Sequence, residues 1–110
     1  MTLLTREQLL ARRPAVRDVP LDDGTVRVRE LSAREMRQLR ETAKGSAFSS
    51  ALIAASVIDE AGALVLQPED VAALEEIDND AYEQLLGAAL DLNGFAESLS
   101  DVPTSGSSGA

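Results

Sequence analysis

The sequence predicts an α+β fold that is mainly α-helical, with an N-terminal β-hairpin, a bundle of about four helices and a disordered C-terminal tail. Within residues 25–31, Val26 and Val28 alternate with Arg27 and Arg29, and from residue 32 onward apolar residues recur at helical spacing. The final residues are mostly Ser, Gly, Thr and Pro. A chain of 110 residues corresponds to one domain. We therefore expect a single domain over residues 1–97 and a flexible Ser/Gly-rich tail over residues 98–110.

The first element is predicted to be a short helix that begins after Thr5. Thr5 and Gln8 have the spacing of a capping box, in which each side chain binds the backbone N–H of the other residue. Leu9 and Leu10 form its apolar side, and Pro14 ends it.

A β-hairpin follows. The alternation over residues 25–31 is typical of a strand with one wet face. Asp22-Asp23-Gly24 is expected to form the turn, because an Asp-Gly pair adopts positive φ at low cost. Pro20 lacks an N–H donor, so the first strand is expected to be short and to lie at an edge.

The second helix is predicted to start at another capping box, formed by Ser32 and Glu35. Met36 and Leu39 lie on its apolar side, and Gly45 is expected to end it. Residues 47–58 are apolar nearly all round, which is typical of a helix covered on most sides. We expect this helix to be the central and most buried element.

Two further helices complete the predicted bundle. A turn at residues 59–62 and a strand fragment or extended crossing at residues 64–66 lead to Pro68, which suits a first helical position. That helix is expected to run to about Ile77. The last helix is predicted to begin after Asp78 and to stop at Asn93-Gly94.

Charge divides the chain into two unlike parts. All ten basic residues and seven acids precede Gly45, for a net charge of +3, whereas the rest holds twelve acids and no base. This asymmetry indicates an electrostatically guided partner or the self-association of unlike surfaces, and the alternative is a soluble acidic surface. A net charge of −9 and only three aromatic residues argue against nucleic-acid binding.

Several classes of site are excluded by composition. The absence of Cys rules out disulfide scaffolds and thiolate zinc sites, and the absence of His removes the commonest general base and metal ligand. No phosphate-binding glycine loop is present, and the acidic clusters lack the spacing of an EF-hand. We therefore predict no catalytic residue, no metal and no cofactor.

No apolar run approaches the ~20 residues of a membrane span, and the first residues do not resemble a secretion signal.

The remaining candidates are charged residues for partner binding. Arg27 and Arg29 could form a basic stripe on an edge hairpin, where unpaired backbone groups are also available. Glu75, Glu76 and Glu83 are the candidate acidic counterpart. The alternative for both groups is a solvated strand face and a solvated helix face.

The order of these segments resembles the tail assembly chaperones of long-tailed bacteriophages. The resemblance rests on residues 19–35 (VPLDDGTVRVRELSARE), 57–62 (VIDEAG), 68–74 (PEDVAAL) and 92–94 (LNG), and it covers residues 15–95. Gln67 stands where that family's pattern would lead us to expect a small capping residue.

The resemblance implies a mainly helical protein that acts in the cytoplasm of the host cell. It would hold the tape-measure protein soluble, help the tail-tube protein to polymerise around it, and be absent from the mature virion. Members are often made in short and frameshift-extended forms, and the tail would then be a tether to a second domain. The alternative is a small prophage or bacterial adaptor or regulatory protein, antitoxin-like, that acts by protein–protein binding.

Overall fold

A computed structural model describes residues 2–45 and 47–95 of the chain. Its helices are α1 (Arg6–Leu10), α2 (Ala33–Thr42), α3 (Ala47–Ser56), α4 (Val71–Leu74) and α5 (Asn79–Leu92). Its strands are β1 (Val16–Leu21), β2 (Gly24–Arg29) and β3 (Val57–Ile58). The α+β fold class is confirmed, with four helices after the hairpin. None of the described helices has the length and apolar character needed to cross a membrane.

The hairpin forms as predicted, but its turn differs. β1 and β2 pair antiparallel with Leu21 opposite Gly24, so Asp22 and Asp23 alone make the turn. Gly24 is the first residue of β2 and is not among the glycines with positive φ, so the expected role of Gly24 in the turn is wrong. β1 is an edge strand, as Pro20 indicated. It contains six residues, the same number as β2, so the expectation of a short first strand is wrong.

The predicted helix over residues 47–58 is two residues too long. α3 ends at Ser56, and the chain enters β3 directly, where Val57 pairs with Val28 of β2. Two features favour this switch. The Ser56 hydroxyl donates a 2.7 Å hydrogen bond to the Leu52 carbonyl oxygen, and β-branched residues suit an extended backbone. The sheet therefore has three strands in the order β1-β2-β3.

Capping residues fix most of the helix starts as expected. Both halves of the Thr5–Gln8 and Ser32–Glu35 capping boxes are present, and the Asp78 carboxylate accepts a hydrogen bond from the Ala81 N–H. The predicted helix over residues 68–77 is shorter than expected. It begins as a single 3-10 turn over Pro68–Asp70 and continues as α4 only to Leu74.

α3 lies at the centre of the core, as predicted. It packs against α2, α4 and α5, and the side chains of Leu52 and Ile53 are fully buried. Val28 of β2 and Leu85 of α5 join the same cluster. The predictions of a domain boundary at residue 97 and of a disordered tail over residues 98–110 lie outside the described residues.

Candidate interaction surface

Arg27 is held by an ion pair across the hairpin. Its Nε lies 2.8 Å from Oδ1 of Asp18 and its Nη2 lies 3.3 Å from Oδ2, and these two residues face each other in the β1–β2 register. Hydrogen bonding from Arg27 holds the pKa of Asp18 below its ordinary value. Both side chains remain substantially exposed, so a further partner could still reach Arg27.

Arg29 has a structural role that the sequence did not reveal. Its guanidinium binds both carboxylate oxygens of Glu35 at 3.0 Å and also donates to the carbonyl oxygen of Ala55 at 2.9 and 3.2 Å. The arginine thereby ties β2 to the start of α2 and to the end of α3. A bidentate pair of this kind is among the stronger polar interactions in proteins.

The environment of Glu35 favours its ionised form. Burial alone raises the pKa of this carboxyl group, but hydrogen bonds from the Ser32 N–H and the Arg29 guanidinium outweigh burial. The pKa of Glu35 is therefore lowered from its ordinary value. Arg29 and Glu35 thus act first as a link within the chain.

The structure does not place Arg27 and Arg29 on a sheet edge. Both lie on β2, the central strand, and the free edge of the hairpin belongs to β1. The proposed basic stripe therefore lacks the unpaired backbone groups that an edge strand offers. The role of these two arginines in partner binding stays a prediction.

Glu75 joins a small polar network beside α3. The Ser50 hydroxyl donates to Oε2 of Glu75 at 2.9 Å and lies 2.8 Å from the Tyr82 hydroxyl. Ser50 is fully buried, so these contacts satisfy a hydroxyl that would otherwise be costly to bury. Glu75 is accordingly both a candidate surface residue and part of the packing between α3 and α5.

Glu76 and Glu83 are exposed, and no basic side chain of the described ranges lies within 4.0 Å of either carboxylate. The structure does not bring the acids and the arginines into one cluster. Arg29 reaches Ala55 near the end of α3, whereas Glu75 reaches Ser50 near its start, about 7.5 Å away along the helix axis.

A basic surface on α2 was missed at the sequence level. Arg37, Arg40 and Lys44 are all exposed around one open depression, and the Arg40 guanidinium lies 5.4 Å from the centre of the Phe95 ring. Arg37 and Arg40 are three residues apart and therefore share one face of α2, and Lys44 follows the end of that helix.

An apolar groove lies between α2, α3 and the segment that precedes α4. It has a volume of about 240 Å³. Its apolar lining includes Leu39, Ala51, Ala54, Leu64, Leu66 and Val71. The small side chains of Ala51 and Ala54 of α3 leave this space between the elements. We call this feature the α2–α3 groove.

No metal centre is apparent in the part of the chain that the structure describes. Within residues 2–45 and 47–95, no three His, Cys, Asp or Glu side chains are grouped so that they could hold an ion. Asp59, in the turn after β3, binds backbone instead, because its Oδ1 accepts hydrogen bonds from the N–H groups of Ala61 and Ala63.

The chain is similar to one solved structure, the tail assembly chaperone of bacteriophage HK97. The two structures superpose with a TM-score of 0.56 and 21% sequence identity, over 78% of this chain and 94% of the other. No protein-family model and no curated protein matches the sequence. At this identity the likeness establishes a shared fold, and this confirms the fold that the sequence resemblance implied.

Proposed function

We propose that this chain is a non-enzymatic phage tail assembly chaperone that binds the tape-measure protein and promotes assembly of the tail tube. The observation that carries the proposal is the fold shared with the HK97 tail assembly chaperone over most of both chains. The sequence segments over residues 15–95 point independently to the same family.

The surface supports a role in protein binding. Glu76 and Glu83 are exposed acids that no described basic side chain engages, and they belong to the part of the chain that contains twelve acids and no base. An acidic surface attracts a basic segment of a partner and keeps the complex soluble. We therefore place contact with the tape-measure or tail-tube protein on the surface that carries Glu76, between α4 and α5, and Glu83, on α5, which we call the α4–α5 surface. Arg27 is a secondary contact.

Self-association of the chain is a further part of the proposal. The acids Glu75, Glu76 and Glu83 of one copy would face the basic side chains of another, Arg27 and Arg29 included. Contact between unlike surfaces is head-to-tail and can continue from copy to copy. Because Arg29 is already bound to Glu35, the exposed face of α2 is the better basic counterpart.

The proposed place of action is the cytoplasm of the host cell, before the tail is complete, and the protein would be absent from the mature virion. Detection of the chain by mass spectrometry in the lysate but not in purified virions is the expected result. Its presence in virions at the level of a structural protein would contradict this part of the proposal.

Co-expression tests the main proposal. The chain is expressed together with a tape-measure protein from the same genome, and the soluble fraction of that protein is measured with and without the chain. We expect the soluble fraction to rise and the two proteins to co-purify. An unrelated acidic protein of similar size is the control, because charge alone could raise solubility. No rise above that control would overturn the proposal.

A matched pair of variants locates the contact. The double change Glu76→Lys and Glu83→Lys reverses two exposed charges and should weaken co-purification, most clearly at low salt. The control is Glu7→Lys with Glu41→Lys, which reverses the same number of exposed charges elsewhere. Equal loss with both pairs would mean that net charge, and not the α4–α5 surface, determines binding.

A toxin gene beside the native gene would instead favour the regulatory alternative.

A further inference from the structure

We infer that the turn end of β2 binds an extended segment of a partner protein, which adds to the sheet as a short strand and carries alternating basic and apolar side chains. The binding site consists of the backbone of residues 24–26 and the depression beside it, and we call it the β2 notch. This inference does not rest on the chaperone role, because it follows from how the strands of this chain pair.

β2 is a central strand over only part of its length. β3 contains two residues, which pair with Arg27 and Val28. On the other side, β1 pairs with all six residues of β2. Residues 24–26 therefore have a paired strand on one side alone, and on the other side β2 is an edge strand there.

Thr25 directs its backbone groups to this open side. The Glu30 N–H binds the Ala15 carbonyl oxygen at 2.8 Å, so Glu30 and every second residue before it in β2 point their backbone groups toward β1. The N–H and C=O of Thr25 alternate with these and point away from β1. Within the described ranges, neither group has a hydrogen-bond partner. One donor and one acceptor are therefore available to a further strand.

The chain turns away at the position where β3 would otherwise cover Thr25. If β3 continued in register, Glu60 would lie opposite Thr25. The Asp59 carboxylate instead binds the N–H groups of Ala61 and Ala63 and holds the chain in a turn. The open side of β2 therefore results from a hydrogen-bonded turn.

A depression of about 520 Å³ lies beside the open edge. Its lining includes Thr25 and Val26 of β2 together with Ile58 and Val65, and Val65 is 52% exposed. Gly24 has no side chain, and a Cβ at this position would meet no described atom within 4 Å. Another backbone can therefore approach β2 closely. An apolar side chain of that segment would remove Val65 from water.

Charge favours a basic segment. Three acids line the depression, Asp18, Asp59 and Glu60, and the basic residue among the lining side chains is Arg27. Arg27 is already bound to Asp18. Asp59 and Glu60 are exposed, and in the described part of the chain no basic side chain lies within 4.0 Å of either carboxylate. Lysine or arginine side chains of an added segment would meet these two acids.

The occupant belongs to a different protein. All ten basic residues of this chain precede Gly45, and the run in which they alternate with apolar residues is β2 itself. Because β2 is already paired in its own sheet, a second copy offers no free segment of this kind. A partner segment that alternates basic and apolar residues would instead pair its backbone with Thr25 and direct the two kinds of side chain to opposite faces.

The test uses the purified, isotope-labelled full chain and a short peptide of alternating lysine and valine. A second peptide, in which glutamate replaces every lysine, is the control for charge. In an NMR titration the lysine peptide should move the Thr25 amide proton resonance downfield, because this N–H gains an acceptor, and should slow its hydrogen exchange. The glutamate peptide should leave both unchanged.

Two variants separate the backbone contact from the charge contact, with affinity measured on the resonances of Ile58 and Val65. Thr25→Pro removes the N–H donor but no hydrogen bond to β1, so the lysine peptide should bind about five- to tenfold more weakly. Circular dichroism checks its fold. Glu60→Lys should weaken binding about two- to fivefold at low salt, and this difference should disappear at high salt. Its matched control is Glu41→Lys, because Glu41 is an exposed acid on α2 and should not affect binding.

Three results would overturn the inference: a Thr25 resonance that does not move even at millimolar lysine peptide, equal binding of the two peptides, or equal loss with Glu60→Lys and Glu41→Lys. A Thr25 resonance that moves with protein concentration in the absence of peptide would show that a second copy fills the β2 notch, and would overturn it as well. None of these results bears on co-purification with the tape-measure protein, which is measured separately.

Discussion

The side chain of Asn93 accepts a hydrogen bond from the backbone N–H of Leu31, 62 residues earlier in the chain, at 2.9 Å. The same amide donates to the Ala89 carbonyl oxygen at 2.7 Å. The Asn93 side chain therefore binds the last turn of α5 and also holds the segment between β2 and α2 against that helix.

Asn93→Ala should remove both hydrogen bonds and leave the N–H of Leu31 without a partner. We expect a loss of about 1–3 kcal/mol in the free energy of unfolding, measured by urea denaturation. Asn79→Ala is the matched control, because Asn79 is exposed at the first turn of α5. A similar loss in both variants would argue against the role of the Asn93 amide.

Leu52→Asp should destabilise the fold by about 4 kcal/mol or more, because it would bury an unpaired charge at the centre of the core. Ala47→Asp is its control on the same helix. Ala47 is exposed in the first turn of α3, where an acid is favourable. A Leu52→Asp chain with the wild-type melting temperature would contradict the central position of α3.

Arg29→Lys should cost about 1–3 kcal/mol of stability although it keeps the charge. Lysine cannot bind both oxygens of Glu35 and the Ala55 carbonyl oxygen in the planar geometry of arginine. Arg34→Lys, at an exposed position, should leave the melting temperature unchanged. An equal effect of the two changes would show that Arg29 is a surface residue and not a link.

The lowered pKa of Glu35 makes part of the stability depend on pH. Its contribution should be fully present above the ordinary value of 4.5 and should be lost as pH falls through the lower pKa of the folded state. In Glu35→Gln this contribution is absent at every pH, so the stability difference from the wild type should shrink on acidification. A difference that stays constant from neutral pH to strong acid would contradict the assignment.

Deletion of residues 98–110 should leave the melting temperature nearly unchanged, because these residues have no sustained apolar periodicity. Differential scanning calorimetry of the full and shortened chains checks this. A large drop would mean that the segment packs on the domain. Expression of the native gene with its downstream overlap should separately be searched for a longer product with the same N-terminus.

Local signals in the sequence predicted most of the helix starts. Capping boxes at Thr5 and Ser32 depend on residues only three positions apart, so their geometry follows from sequence alone. β3 was missed for the opposite reason. Val57 and Ile58 continue an apolar run, and only their pairing with β2 identifies them as a strand.

The candidate surface was less accessible to sequence reasoning. The alternation in β2 placed Arg27 and Arg29 on one face, but it could not show that Asp18 and Glu35 already bind them. The α2–α3 groove was also not foreseen, because a groove is defined by the absence of a neighbouring element. The periodicity of apolar residues shows which face of a helix is apolar. It does not show which other element packs against that face.

Pro20 has a consequence for how the folded chain behaves in concentrated solution. Leu21 and Gly24 flank the two-residue turn, so the alternation of an antiparallel pair directs the nitrogen of Pro20 outward from β1. A donor is therefore missing from the turn end of the free edge, where the strands of neighbouring molecules could otherwise pair edge to edge. At high concentration the chain would therefore be less able to extend its sheet by pairing with the sheet of another copy.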